Sequence, residues 1–307
     1  MPAERVAVVG AGAVGSYFGG MLARAGTPVT LIGRAAHVDA IKRDGLFLER
    51  IDFQGYVRAD ADVHIEAVRT ATIVLLSVKT VDTEAAAVAL KPYLAEGALL
   101  VSLQNGVDNV ERIRRTTGID AVPAVVYVAV EMTGPGRVTH SGRGDLIVGE
   151  LSSPTPRPER LERVSALFTN AAIPCRVSND IAAELWTKLV INCAYNAISA
   201  VGRAPYGLIK DNPLTRNLMR QVIAEVAAVA SAANVILPDA EQLTSAALKL
   251  GEAMADATSS TAQDLARGKP TEIDSLNGYV ARRGAELGVP VAVNSALHAL
   301  VKLLESR

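Results

Sequence analysis

The sequence predicts an α/β domain, built on a mostly parallel, doubly wound sheet, followed by an all-α domain. Three observations predict it. Short apolar runs alternate with helical patterns through the first half of the chain. A glycine-rich turn joins the first of those runs to the first helical pattern. From Ile181 onward the texture becomes Ala-rich and periodic at helical spacing, with few β-branched runs. Near-continuous apolar strands separated by helices indicate a parallel sheet covered on both faces.

In order along the chain, residues 5–9 read as a strand, 14–25 as a helix and 28–32 as the next strand. Strands at 73–77, 99–102 and 122–130 follow, each rich in Val, Leu and Ile. Residues 46–49 and 56–58 read as a small inserted hairpin. A second hairpin is expected from residues 138–141 and 145–150, joined through Gly142-Arg143-Gly144. Residues 152–158 are rich in Ser and Pro and read as a loop. A helix at 161–170 and a strand at 175–177 after it still belong to the first domain, so the boundary falls at 178–180. Helices are expected at 181–201, 213–233, 239–254, 273–287 and 291–304, with Gly288 and Pro290 separating the last two. Residues 1–179 and 180–307 are thus the expected domains.

Composition bounds the function. A chain of 307 residues exceeds one typical core, so two domains are the default. Lys plus Arg is 31 against 32 for Asp plus Glu, which leaves no basic footprint for a nucleic acid. The cysteines, Cys175 and Cys193, form neither a disulfide framework nor a CxxC metal pair, so no metal is expected. They read as reduced thiols in a cytoplasmic protein. No apolar run approaches the roughly 18 residues needed to span a bilayer, so no membrane partner is expected. The start of the chain lacks a basic leader with a small-residue cleavage site and does not read as a signal peptide.

Gly10-Ala11-Gly12-Ala13-Val14-Gly15 lies directly between the first strand and the first helix. The motif alone is weak evidence; in this context it is strong. Gly10 allows a tight turn, Gly12 lets a pyrophosphate approach the backbone, and Gly15 lets helix and strand pack closely. The helix N-terminus at Ala13 and Val14 supplies unpaired N–H groups to the anion. This is the fingerprint of a Rossmann-type dinucleotide-binding domain. An NAD-binding chain usually carries Asp or Glu at the end of the second strand, about 20 residues past the glycines. Here that place reads Leu31-Ile32-Gly33-Arg34. A guanidinium can grip a 2′-phosphate through two parallel hydrogen bonds, so NADP(H) is the expected cofactor. The competing reading is a solvated surface arginine.

Lys79 and Gln104-Asn105-Gly106 follow apolar strands, at the carboxyl ends where open α/β sheets bind ligands. Asn105-Gly106 could equally be a plain turn. In the second domain, Lys188, Asn192 and Asn196 are spaced i, i+4, i+8 within an apolar helix and share one face. Such groups are costly to bury without partners, and a cavity holding a polar ligand would satisfy them; a solvated face would do so equally. Glu272 precedes an expected helix, where an acid is often only a cap.

The glycine turn, Lys79, the Gln104–Gly106 turn, the helix carrying Trp186 to Asn196 and the segment from Ser259 to Asn277 together resemble the ketopantoate reductase (2-dehydropantoate 2-reductase) family over essentially the whole chain. Lys188-Leu189-Val190-Ile191-Asn192 and Thr271-Glu272-Ile273-Asp274 are the specific stretches. The resemblance implies hydride transfer from NADPH to the carbonyl carbon of a small-molecule 2-oxo acid. It implies that Lys188 is the general acid at the developing alkoxide, with Glu272 near it and near the cofactor. It further implies that Asn192 and Asn196 hold the far hydroxyl of the substrate and that Ser260 binds its carboxylate. By the same resemblance Asn105 and Lys79 line the nicotinamide side, and Arg34 meets the 2′-phosphate. A histidine relay is not expected, since His37, His64, His140 and His298 lie in no catalytic-looking motif.

Tyr206 and Ala257 depart from the pattern, which carries asparagine at both places. A site built on hydrogen bonds discriminates strongly by its polar groups, so these positions bear on which 2-oxo acid is reduced. An oxidoreductase of the same build acting on another keto acid or on an imine, and a non-catalytic NADP(H)-binding sensor, are the competing functions. No motif encodes oligomeric state, and the apolar surface of the helical domain leaves a homodimer open.

Overall fold

The computed structural model describes residues 4–151 and 157–306. They form two compact units, Met1–Ile181 and Ala182–Arg307. Most of the expected Ser- and Pro-rich loop, residues 152–156, lies outside the described residues.

The first unit runs β1 (Val6–Val9), α1 (Ala13–Arg24), β2 (Val29–Ile32), α2 (Ala35–Asp44), β3 (Leu46–Glu49), β4 (Gln54–Val57), β5 (Asp60–Asp62), β6 (Ile73–Leu76), α3 (Thr83–Leu90), β7 (Leu99–Ser102), α4 (Asn109–Thr117), β8 (Val122–Gly134), β9 (Arg137–Val148), α5 (Pro158–Asn170) and β10 (Cys175–Val177). The strands form one sheet in the order β4-β3-β9-β8-β7-β6-β1-β2-β5, with β10 beside β9. From β5 across to β8 every pairing is parallel. The chain leaves β1 toward β2 on one side and later returns to its other side as β6. That reversal makes the β1/β6 edge the topological switch point, where such sheets bind ligands.

Period-2 alternation explains why these strands are apolar throughout. Val6 and Val8 of β1 and Ile73 and Leu75 of β6 enter one core, with Tyr17, Phe18, Met21 and Leu22 of α1. Ala7, Val9, Val74 and Leu76 enter the core on the opposite face, with Leu90 of α3 and Val110 and Ile113 of α4. Both faces are covered, and every position of β1 and β6 is apolar.

The hairpin expected from residues 138–150 is not formed. β9 runs unbroken through Gly142 and Gly144 and pairs antiparallel with β8 along its length. The turn lies earlier, between Gly134 and Arg137, where Gly136 takes a φ of +67°. Gly144 serves packing instead of a turn: a Cβ there would strike the Tyr17 hydroxyl. The hairpin of β3 and β4 is formed, antiparallel, with β3 parallel to β9.

The second unit is helical: α6 (Ile181–Gly202), α7 (Tyr206–Asp211), α8 (Pro213–Ala232), α9 (Ala240–Ala253), α10 (Ser260–Ala266), α11 (Asn277–Leu287) and α12 (Ala292–Glu305). Helix α8 packs against α9, α11 and α12 through buried Met219, Val222, Ile223, Val226 and Val229. Its Glu225 carboxylate accepts the N–H groups of Val293 and Asn294, both at 2.9 Å, and so caps α12, whose own N-cap Val291 has no side-chain acceptor. Fully buried Asn294 and Asn277 continue inward from this cap. Asn277 Nδ2 donates to Asn294 Oδ1 at 2.9 Å and to the Cys193 carbonyl of α6 at 3.4 Å. Helices α7 and α10 lie where the sequence predicts no helix, and the helix expected at 273–287 opens as a separate 3-10 turn at Ile273–Ser275 before α11.

Candidate active site

In the first unit the candidate residues converge on the carboxyl ends of four adjacent parallel strands. The turn after β1 accounts for each glycine separately. Gly10 has a φ of +99°, and a Cβ on it would lie 2.6 Å from the Val78 nitrogen. A Cβ on Gly15 would lie 2.8 Å from Val8 Cγ1 and would strike Ser77 Oγ and the Gly10 carbonyl. Gly12 differs from both. Its φ of −82° suits any residue, and a Cβ there would meet no protein atom closer than 4.0 Å. Nothing in the protein's own packing requires glycine at that place, which is what a ligand-facing position looks like. Helix α1 starts at Ala13 with no acidic residue in its first turn, so its N-terminal charge is not offset locally. A dinucleotide pyrophosphate fits this cradle.

The neighbouring strand ends are tied to the turn. Ser77 Oγ donates to the Gly10 carbonyl at 2.9 Å. Beyond it Lys79, half-buried, precedes a short 3-10 turn at Thr80–Asp82. Thr80 Oγ1 donates to the Asn105 carbonyl at 3.0 Å, and Asn109 Nδ2 donates to the same oxygen at 2.7 Å. Gln104, 6% exposed, donates from Nε2 to the Val78 carbonyl at 3.1 Å and to Thr83 Oγ1 at 2.7 Å. The turns carrying Lys79 and Asn105 are therefore one hydrogen-bonded body.

Arg34 stands exposed as the N-cap of α2, whose first turn also lacks an acid. One turn further on, buried His37 accepts the Gly136 N–H at Nδ1 (2.8 Å). Its Nε2 is then the protonated nitrogen and donates to Ser16 Oγ of α1 at 3.0 Å. Burial, reinforced by the Arg34 charge, holds the His37 pKa below its usual value. His37 thus fastens the start of α2 to α1 and to the β8–β9 turn. Sequence reasoning missed Ser16, His37 and Ser77. Only the position of Ser77 at a strand end could have signalled any of them.

In the second unit, α6 carries Lys188 and Asn192, both half-buried, and Asn196, which is 3% exposed. Leu185, Trp186, Leu189, Val190, Cys193 and Ala194 fill the buried side of the helix. The Ser260 segment is stapled to this helix. Ser259 Oγ, the N-cap of α10, donates to the Asn196 carbonyl at 3.1 Å, and Ser259 N donates to Ser199 Oγ at 3.2 Å. Ser260 itself is exposed at the first position of α10. The two departing positions lie together here. Tyr206 N donates to the Ala257 carbonyl at 2.9 Å, and the Tyr206 ring stacks on Tyr195 of α6 at 4.3 Å. Burial pushes the Tyr206 phenol up to about 12, with the neighbouring Tyr195 adding to it, so the hydroxyl stays neutral. Glu272 is half-buried just ahead of a 3-10 turn at Ile273–Ser275. Among the described residues no cluster of His, Cys, Asp or Glu could hold a metal ion, and no helix is long and apolar enough to cross a membrane.

A switch-point cradle with a ligand-facing glycine, built on a doubly wound sheet and followed by a helical unit, defines a dinucleotide-dependent oxidoreductase of the two-unit kind. Residues 6–153 match the family Ketopantoate reductase PanE/ApbA, and residues 180–305 match its C-terminal counterpart. A 2-dehydropantoate 2-reductase of Pyrococcus horikoshii is 32% identical over 302 residues, covering 98% of both chains. The crystal structure of a PanE/ApbA family ketopantoate reductase from Ralstonia eutropha superposes with a TM-score of 0.91 at 47% identity, again over 98% of both chains. A D-mandelate dehydrogenase, solved with NADH and anilino(oxo)acetate, shares the fold with a TM-score of 0.91 at 22% identity. The chain belongs to the ketopantoate reductase family and is an oxidoreductase acting on a CH–OH group.

Proposed function

We propose that the protein reduces a 2-oxo acid to the 2-hydroxy acid with NADPH, and that the substrate is 2-dehydropantoate. Residues 1–179 would hold the cofactor and residues 180–307 would supply the substrate site. The observation that carries the reading is the α6 face, where a lysine and an amide stand half-buried one turn apart on a mostly apolar helix. The relatives named 2-dehydropantoate 2-reductases support it.

In this reading Gly10, Gly12, Ala13, Val14 and Gly15 receive the pyrophosphate on backbone N–H groups. Arg34, at the bare N-terminus of α2, binds the 2′-phosphate. Lys79 and Asn105 border the nicotinamide. The bound dihydronicotinamide supplies a hydride to the carbonyl carbon. Lys188 holds its ammonium proton toward the carbonyl oxygen, stabilises the negative charge growing there and then delivers the proton. Glu272 orients Lys188 and the cofactor. Asn192 and Asn196 bind the far hydroxyl, and Ser260 the carboxylate. Steady-state turnover of a panel of 2-oxo acids, with and without added amine, tests the substrate. Turnover of ketopantoate well above its analogues is expected, and activity that requires the amine would contradict the reading.

A second reading is favoured by one specific observation. Where an amide would offer hydrogen bonds, the stacked Tyr206 ring and Ala257 offer apolar surface. A different, bulkier 2-oxo acid would suit that wall, and the same panel would reveal it as a faster substrate.

A further inference from the structure

Glu272 sits in a short segment with little regular structure of its own, between α10 and α11. Two tethers from α12 grip this segment, one on each side of Glu272. On one side, Glu305 Oε1 accepts both the Thr271 N–H at 2.8 Å and the Thr271 hydroxyl at 2.5 Å. Thr271 Oγ1 in turn accepts the Ile273 N–H at 3.2 Å, across the Glu272 backbone. On the other side, Asp274 Oδ1 meets His298 Nε2 at 2.7 Å, and Asp274 Oδ2 accepts from Lys302 Nζ at 3.0 Å. Lys302 also pairs with Glu305 Oε2 at 2.5 Å, which joins the two tethers. His298, Lys302 and Glu305 are spaced four and three residues apart and share one face of α12. Gly278 keeps room for this grip, since a Cβ there would lie 2.8 Å from His298 Nε2.

Magnitudes decide what the arrangement is for. The side chains of Lys302 and Asp274 are 44% and 53% exposed, and exposed ion pairs contribute only about 0–1 kcal/mol to stability. The Lys302–Asp274 arm of this network of five side chains is therefore poor as a stability device, and the network's effect lies elsewhere. The network is effective at defining position, because it removes the freedom of Thr271 and Asp274 on either side of one carboxylate. Position matters to catalysis far more steeply than to stability: a displacement of about 1 Å can cost about 100-fold in rate. Burial acts to raise the Glu305 pKa, but Lys302 and Thr271 outweigh it and keep the carboxylate ionised as an acceptor.

We propose that Glu305 and Lys302 are positioning residues for Glu272, holding its segment in register from α12 through Thr271 and Asp274. The inference rests on the reading of Glu272 as a group acting at the reacting centre. The experiment measures kcat, KM, NADPH affinity and Tm for Glu305→Ala, Glu305→Gln, Lys302→Ala, Glu272→Ala and the double variant Glu272→Ala/Glu305→Ala. Glu305→Ala should lower kcat about 10-fold or more, with NADPH affinity within about twofold. Glu305→Gln keeps the acceptor for Thr271 and should recover most of the loss. Lys302→Ala should lower kcat with Tm nearly unchanged. In the double variant the loss should not exceed that of Glu272→Ala alone, since both act through one group. Wild-type kcat in Glu305→Ala and Lys302→Ala, or losses that multiply in the double variant, would overturn the proposal while leaving Glu272 in its role. Wild-type kcat in Glu272→Ala would instead remove the reading on which the proposal rests, and the proposal with it.

Discussion

Arg34 is the residue on which cofactor choice turns. It is exposed, stands at the N-cap position of α2 and faces no acidic residue in that helix's first turn. Hydrogen bonds to a charged group are worth about 1.5–3 kcal/mol, or about 10- to 100-fold in affinity. Arg34→Ala should therefore weaken NADPH binding by that factor while leaving NADH nearly unaffected, as read by cofactor titration. Equal losses for both would remove the 2′-phosphate assignment. The lack of an acid at the end of β2 was legible in the sequence because that position is set by local spacing. The surroundings of Arg34 were not. His37 is held by Ser16 and Gly136, which lie 21 and 99 residues away in sequence, and no local pattern encodes such partners.

Among the elements, the β1–turn–α1 unit makes the sharpest distinction between fold and function. Gly15 is needed by packing and Gly12 is not. Gly15→Ala should lower stability by roughly 1–3 kcal/mol, the cost of overpacking a tight contact. Gly12→Val should leave Tm almost unchanged and abolish measurable NADPH binding. A Gly12→Val protein that unfolds, or that binds NADPH normally, would contradict the cradle. This unit was readable from sequence because its logic lies within one strand, turn and helix. The β8–β9 hairpin was misread for the opposite reason. Gly142 and Gly144 resemble a turn locally, yet β8 supplies partners straight past them and Gly144 answers to Tyr17 on α1. Helices α7 and α10 were missed because six and seven residues show too little periodicity.

Across the whole molecule, acid should act on the first unit through buried His37 and half-buried His140. Burial lowers the pKa of both His37 and His140 in the folded chain. Folded His37 thus binds fewer protons than unfolded His37 around the ordinary value of 6.5. Its neutral form fits at higher pH without penalty. As pH falls through 6.5 the unfolded chain takes up a proton that the folded chain resists, and stability is lost until the lower folded pKa is passed. Tm should therefore drop between about pH 7.5 and about pH 5.5. In His37→Gln, which can still accept from Gly136 and donate to Ser16, the drop should be smaller. An identical drop would clear His37 of the effect. At this scale the division into a sheet unit and a helical unit was plain in the sequence, because the change from near-continuous apolar strands to Ala-rich helical periodicity is long-range and strong.

The central claim is that Lys188 delivers the proton while a 2-oxo acid is reduced at the expense of NADPH. The most direct test follows the disappearance of NADPH absorbance with ketopantoate for the wild type and for Lys188→Ala, with NADPH affinity measured in parallel. The wild type should consume NADPH, and Lys188→Ala should lower kcat by about 10²- to 10⁴-fold, the range for loss of a general acid, with cofactor affinity nearly unchanged. A Lys188→Ala protein with wild-type kcat would contradict the account, as would a wild type that binds NADPH and reduces no 2-oxo acid.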